Sequence, residues 1–414
     1  MPESIHTRCC IAGGGPAGVM LGFLLARSGV DVVVLEKHKD FLRDFRGDTV
    51  HPSTLELMYE LGVLDDFLQR PHQELREIKA QVGNETFTLG DFTHVPTHSK
   101  FIALMPQWDF LNFLAEQAQK YPGFHLRMEA EVTDLIEEDG RIAGVRANTP
   151  SGPLEIRANL TIGADGRRSV VRERAALPLI DLGAPMDVMW MRITRRPEDP
   201  PQTLGHVEPG RILILINRDE YWQAAFVIPK GAAVEVRQRG MDAFRQEIVK
   251  LDPFLRDRVG ELQNWDQVSL LTVAVDRLTR WWRPGLLCIG DAAHAMSPIG
   301  GVGINLAIQD AVAAANLLAR KLVDGRIQSS DLQAVQKRRM FPTKATQAVQ
   351  LMIQKHVIRR VLDPNQPLNL PWQFKLLGWF PFLRRIPARA IGVGFRPEHI
   401  ETAEAPAGRS SQAA

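Results

Sequence analysis

The chain has 414 residues, 45% of them apolar and 24% charged, with 50 Lys and Arg against 48 Asp and Glu. That length exceeds what one simple core organises, and a formal charge of +2 carries no global signal for nucleic acid as a partner. The three cysteines, Cys9, Cys10 and Cys288, make neither a CxxC pair nor an even disulfide framework, which argues for a reducing cytoplasm and against a metal site. MPESIHTR at the start lacks the basic-then-apolar pattern of a signal peptide, and no run approaches the ~20 apolar residues that span a bilayer. A cytoplasmic protein without a transmembrane segment is expected.

In chain order, the first predicted element is the apolar strand ending Cys9-Cys10-Ile11-Ala12. It leads into Gly13-x-Gly15-x-x-Gly18, a helix of period 3.6 through VMLGFLLARSG, and a second apolar strand, DVVVLE, whose last residue is Glu36. This is a βαβ unit with an acid at the end of its second strand. Gly13 permits a tight turn, Gly15 lets the backbone approach a pyrophosphate, and Gly18 lets helix and strand pack closely. Pro16 and Ala17 open the helix, whose free N–H groups favour phosphate. Glu36, followed by Lys37, suits ribose hydroxyls and disfavours a 2′-phosphate, so the nucleotide here is FAD or NAD rather than NADP.

Two motifs follow at a distance. Leu160–Arg174 reads LTIGADGRRSVVRER, a strand followed by Gly163-Ala164-Asp165-Gly166, with Ser169 and Arg172 beyond. Leu286–Ala311 reads LLCIGDAAHAMSPIGGVGINLAIQDA, in which an apolar run ends at Gly290-Asp291 and a glycine-rich stretch enters a helix. Such an entry leaves backbone N–H groups free to meet an anion.

In order and spacing, these three motifs resemble the para-hydroxybenzoate-hydroxylase-like flavoprotein monooxygenases, single-component FAD enzymes, over roughly residues 8–345. The resemblance implies that Asp165 is a hydrogen-bonding centre beside FAD and that Asp291 takes its ribityl chain. It implies that Pro298, Gly301, Val302, Gly303, Ile304 and Asn305 present a helix start to the flavin ring, and that Arg46 and Gln107 contact the flavin. Family members commonly carry Gln where this chain has Val302. His294 reads as a packed, hydrogen-bonded histidine.

The expected fold class is α/β. A Rossmann-type FAD-binding domain with a parallel sheet (1–71, 101–175 and 281–345) carries an inserted antiparallel-sheet substrate domain (72–100 and 176–280). A helical, aromatic C-terminal segment (346–402) and a disordered tail (403–414) complete it. Within the insert, Val188–Ile193, Arg211–Asn217 and Tyr221–Pro229 alternate like antiparallel strands. Period 2 puts Trp190 with Arg192 on one face and Tyr221 with Gln223 on one face, leaving open which face looks toward the cofactor. These four are the substrate-side candidates, and Tyr221 is the candidate catalytic group because a phenol substrate needs a partner for its proton. No dense polar cluster for a small carboxylate stands out, which favours a larger, more apolar substrate.

The resulting expectation is a monooxygenase in which transiently bound NADPH or NADH reduces FAD, dioxygen forms a flavin hydroperoxide, and an aromatic or other apolar small molecule is hydroxylated. Two rivals are an FAD-dependent reductase of isoprenoid-type double bonds and a non-catalytic flavin protein that sequesters a ligand. A homodimer is the one protein partner considered. LPWQFKLLGWFPFLRRIPARAIG (Leu370–Gly392) is expected to pack on the protein's own body, the alternatives being a dimer surface and a membrane interface.

Overall fold

The structure, a computed structural model, describes residues 3–42, 49–83, 85–200, 203–365 and 372–406. Arg46 lies outside the described residues. The chain opens with β1 (Glu3–Ala12), α1 (Pro16–Arg27) and β2 (Val32–Leu35). A hairpin, β3 (Glu77–Val82) and β4 (Glu85–Asp91), precedes α2 (Gln107–Ala118), β5 (Phe124–Arg127) and β6 (Gly152–Gly163). The strands β7 (Met186–Thr194), β8 (Leu204–Glu208), β9 (Arg211–Asn217), β10 (Tyr221–Pro229) and β11 (Ser269–Leu271) follow. The chain then returns through β12 (Leu286–Cys288) to α3 (Gly303–Val323), α4 (Ser329–Ile353) and α5 (Arg385–Gly392).

The first sheet has a parallel centre, β12-β6-β1-β2-β5, which the strands Glu131–Glu138, Arg141–Thr149 and Trp282–Arg283 extend by antiparallel pairing. Parallel strands covered on both faces read as unbroken apolar runs, which is why VVVL of β2 is buried at every position. Helix α1 starts at Pro16, whose fixed φ and missing N–H suit a first helical position. All of its residues from Ala17 to Ala26 are buried, as befits a helix enclosed on all sides. Gly22 makes this possible, since a Cβ there would lie 2.8 Å from both Phe124 and Val34.

The second sheet runs β11-β7-β10-β9-β8-β3-β4. Its pairs are antiparallel except β8 with β3, which are parallel, so the early hairpin is stitched onto strands more than a hundred residues later. Register fixes its faces. Arg192 pairs with Gln223 and Thr194 with Tyr221. Directly paired residues point the same way, so Trp190, Arg192, Tyr221 and Gln223 all share one face. The opposite face, with Met189, Met191, Ile193, Trp222 and Phe226, is buried under the helices Ala233–Gln238 and Met241–Leu251.

The segment Ile299–Val323, long and apolar enough to cross a bilayer, lies mostly buried inside the fold. Residues 402–405 of the C-terminal stretch run along α1. Arg27 donates to the Thr402 carbonyl at 2.9 Å and accepts from the Ala405 N–H at 2.9 Å, so the expected disorder is corrected for this part of the tail. Residues 407–414 lie outside the described residues.

Candidate active site

The glycine loop after β1 is built by contacts that only hydrogen side chains allow. Gly13 has φ +109°, and a Cβ there would come within 2.4 Å of the Ala164 carbonyl oxygen. A Cβ on Gly18 would stand 1.9 Å from the Gly13 oxygen. Gly13 therefore packs the loop directly on the Gly163–Gly166 motif, a closer role than a tight turn. A Cβ on Gly15, by contrast, would meet no protein atom within 4 Å, so this is where the backbone lies open to a ligand at the N-terminus of α1. Beside it, Glu36 directly follows β2 and accepts from the Gly14 N–H and the His38 N–H, each at 3.1 Å. Lys37 is exposed.

The second motif is organised around Asp165. Its Oδ1 accepts from Ser169 Oγ at 2.5 Å and its Oδ2 from the Val171 N–H at 3.1 Å, while Ser169 caps the helix Val170–Arg174. Burial pushes the Asp165 carboxyl up, against the pull of those hydrogen bonds. Arg172 reaches from this helix to the Arg167 carbonyl at 2.6 Å and to the Ala292 carbonyl at 3.4 Å, tying the second motif to the third.

Asp291 accepts from Arg167 Nε at 3.0 Å, with both side chains about one-third exposed. Arg167 was not singled out in the sequence, and its Nη1 is buried without a hydrogen-bond partner among the described residues. Gly290, at φ +59°, donates its N–H to Asp310 at 3.1 Å. Asp310, fully buried on α3, also lies 2.6 Å from His294 Nε2 and accepts from Arg339 Nε at 2.9 Å. Burial would raise its carboxyl, but His294 and Arg339 outweigh that and hold it below the usual carboxylate range. His294 is thus hydrogen-bonded and packed beside Trp281. Asp310 was missed, although an acid within LAIQDAVAAA is itself a signal, because a charge in an apolar helix needs buried partners.

Pro298 leads into Ile299–Gly301, where Gly300 and Gly301 take φ of +76° and +63°, and α3 starts at Gly303 with no side-chain cap. Val302 is half-buried at this start and Ile304 is buried behind it. Asn305, expected on the cofactor, spends its side chain on the protein. Its Oδ1 accepts from the His51 N–H at 2.9 Å and Thr54 Oγ1 at 2.7 Å, and its Nδ2 donates to the Thr49 carbonyl at 3.2 Å. It clamps the strand Thr49–Val50 against the helix start, and the Thr49 hydroxyl donates to the Gly301 carbonyl at 2.9 Å. Burial holds the adjacent His51 ring down at about 4, partly offset by the Ile391 carbonyl, so it is neutral at pH 7 and its Nδ1 bonds that carbonyl at 2.8 Å. Gln107 stands half-buried at the first position of α2.

Above this floor, the face of the second sheet with Trp190 packs in one apolar cluster with Ile299. At the edge of that face the Arg192 guanidinium lies 4.7 Å from the centre of the Tyr221 ring, and Arg218 donates to Gln223 at 3.2 Å. Arg218 was also missed in the sequence. It lies near enough to Asp109 of α2 to oppose the upward shift that burial gives that carboxyl.

The arrangement fits FAD. An open glycine cradle with an acid beside it, a carboxylate-bearing loop, and an uncapped helix start under a sheet lie in the order that a long dinucleotide needs. The chain matches the FAD binding domain family over residues 6–349. It is 33% identical to 6-methylpretetramide 4-monooxygenase of Streptomyces rimosus across 84% of each chain. It is 29% identical to rifampicin monooxygenase of Streptomyces venezuelae over 73% of this chain and 61% of that one. Crystallographic p-nitrophenol 4-monooxygenase PnpA of Pseudomonas putida has the same fold, with TM-score 0.73 and 21% identity over 93% of this chain and 97% of that one. The fold and site define an FAD-dependent hydroxylase resembling para-hydroxybenzoate hydroxylase. The chain belongs to the FAD binding domain family, and it is an FAD-dependent monooxygenase.

Proposed function

We propose that the chain hydroxylates an extended, multi-ring phenol, using NADH or NADPH as the source of electrons. The carrying observation is the single sheet face bearing Trp190, Arg192, Tyr221 and Gln223 above the Ile299–Gly301 turn. The same face presents Ile214, paired with Ala225, and Ile216, paired with Gln223. A broad apolar ceiling with polar groups gathered at one edge suits a flat, largely apolar molecule that is oriented at one end. The name of the Streptomyces rimosus relative, a pretetramide monooxygenase, points the same way.

In this reading Gly13–Gly18 and Glu36 would hold the adenosine diphosphate half of FAD, and Asp291, oriented by Arg167, would hold the ribityl chain. The uncapped N-terminus of α3 at Gly303 would meet the flavin ring, where its dipole would favour added negative charge. Bound FAD supplies electron acceptance from the nicotinamide and activation of dioxygen. The residues of the sheet exclude water and orient the ring to be hydroxylated, and Tyr221, beneath Arg192, exchanges the phenolic proton at its hydroxyl. Cys9, Cys10 and Cys288, all buried and unpaired, support a cytoplasmic location.

The test is to purify the yellow protein and screen multi-ring phenols for NAD(P)H consumption coupled to a product heavier by one oxygen atom. Product formed without dioxygen, or a ligand bound tightly with no consumption, overturns the reading. Tyr221→Phe is expected to keep its FAD and lose about 100-fold in hydroxylation rate. An unchanged rate removes Tyr221 from the chemistry.

A further inference from the structure

We propose that the outer face of residues 378–389 docks this protein on an anionic lipid surface. The segment comprises the end of the helix Trp372–Trp379, the turn Pro381–Arg384 and the first half of α5. Its inner side belongs to the protein. Ala388 is fully buried, 3.6 Å from the place a Cβ on Gly90 of β4 would take, and a Cβ on Gly392 would meet Phe92 at 2.9 Å. Packing on the protein's own body therefore accounts for this side only.

The outer side faces solvent, with Trp379 72%, Phe382 60% and Ile386 66% exposed, and Phe380 beside them 46% exposed. Single exposed apolar residues are ordinary, but four large ones within eight positions form a patch. Tryptophan and phenylalanine beside arginine make the composition that settles at the boundary of headgroups and acyl chains, rings inward and guanidinium groups among the phosphates. Arg385 and Arg389 stand exposed on the same stretch. From residue 364 to residue 397 the sequence contains Lys375, Arg384, Arg385, Arg389 and Arg396 and no Asp or Glu. The acid that faces Arg385, Asp91, lies behind it on β4 and already accepts from the Thr93 N–H and hydroxyl.

Charge selects the occupant. A two-fold contact of this stretch with a second copy would offer Arg385 and Arg389 no acidic partner from the same stretch and would bring like charges together, whereas phosphate headgroups complement them. The location also ties docking to the site. Ile391, on the same short helix, would touch a Cβ placed on Gly300 at 3.7 Å, and its carbonyl bonds His51. An apolar molecule dissolved in the bilayer thus lies one helix away from the turn below the sheet.

The FAD-loaded full chain should co-sediment with vesicles of phosphatidylcholine mixed with phosphatidylglycerol, weakly or not at all with phosphatidylcholine alone, and less as salt is raised. Trp379→Ser with Phe382→Ser, and separately Arg385→Gln with Arg389→Gln, should each lower that partition by about 10-fold with FAD absorbance retained. The charge pair serves should the aromatic pair fail to fold. No sedimentation with the anionic vesicles overturns the proposal. So does equal binding to neutral vesicles, binding unchanged in the folded variants, or a dimer in solution that the aromatic variant dissociates.

Discussion

Asp310 shows what a single side chain can organise. It accepts from the N–H of Gly290, the residue before Asp291, and holds His294 and Arg339 with its two oxygens, all out of reach of water. Removing one partner of a buried charged cluster strands the others, at a cost of about 3–5 kcal/mol. Asp310→Ala is therefore expected to lower the melting temperature and to weaken FAD retention, because the Gly290–Asp291 turn loses its anchor. Both are read in one thermal scan following protein and flavin fluorescence. A second buried carboxylate makes a pH test. Asp199 is held by the Arg258 guanidinium at 2.6 and 2.9 Å and by Trp222 Nε1 at 2.9 Å. Burial alone would raise its carboxyl, yet these bonds bring it down from 3.8 to about 2. A depressed carboxyl stabilises the fold in full above its ordinary range, and that stability is lost as pH falls from about 4 toward 2. Asp199→Asn should cost about 2 kcal/mol near neutrality, and the difference from the parent chain should shrink below pH ~4 in denaturant titrations.

At the scale of elements, the turn before α3 and the strand Thr49–Val50 act together. A Cβ on Gly301 would stand 2.3 Å from Thr49 Oγ1, and its φ of +63° is one that alanine resists. Gly301→Ala is expected to push the strand and the helix start apart. FAD affinity should drop at least about 10-fold with secondary structure intact, as equilibrium dialysis and circular dichroism would show. Much of this level was legible beforehand. The βαβ unit with Gly13, Gly15, Gly18 and Glu36 was readable because strand, turn and helix lie within one short stretch. The face of the second sheet was not, since alternation says which residues go together but only the pairing of Thr194 with Tyr221 joins the two strands' faces. Nor could spacing reveal that the Asn305 side chain bonds Thr49, His51 and Thr54, because these partners are about 250 residues away.

For the whole molecule, the last described residues matter more than their composition suggests. Small and polar residues such as AEAPAG read as a loose end, since nothing local holds them. What fixes residues 398–405 is distant: Glu398 pairs with Arg338 and with Arg339, Glu404 accepts from the Tyr121 hydroxyl at 3.0 Å, and the Glu398 N–H donates to Gln309 of α3. Ending the chain at Pro397 should leave Arg339 with one carboxylate instead of two. The expected loss is about 3 kcal/mol or more, seen as a lower urea midpoint and faster protease cleavage of α4.

The link from Gly290 through Asp310 and Arg339 to Glu398 also works as a mechanical brace. It fastens the loop that carries Asp291 to α3, to α4 and to the C-terminal stretch at once, so a shift of that loop strains three separate elements.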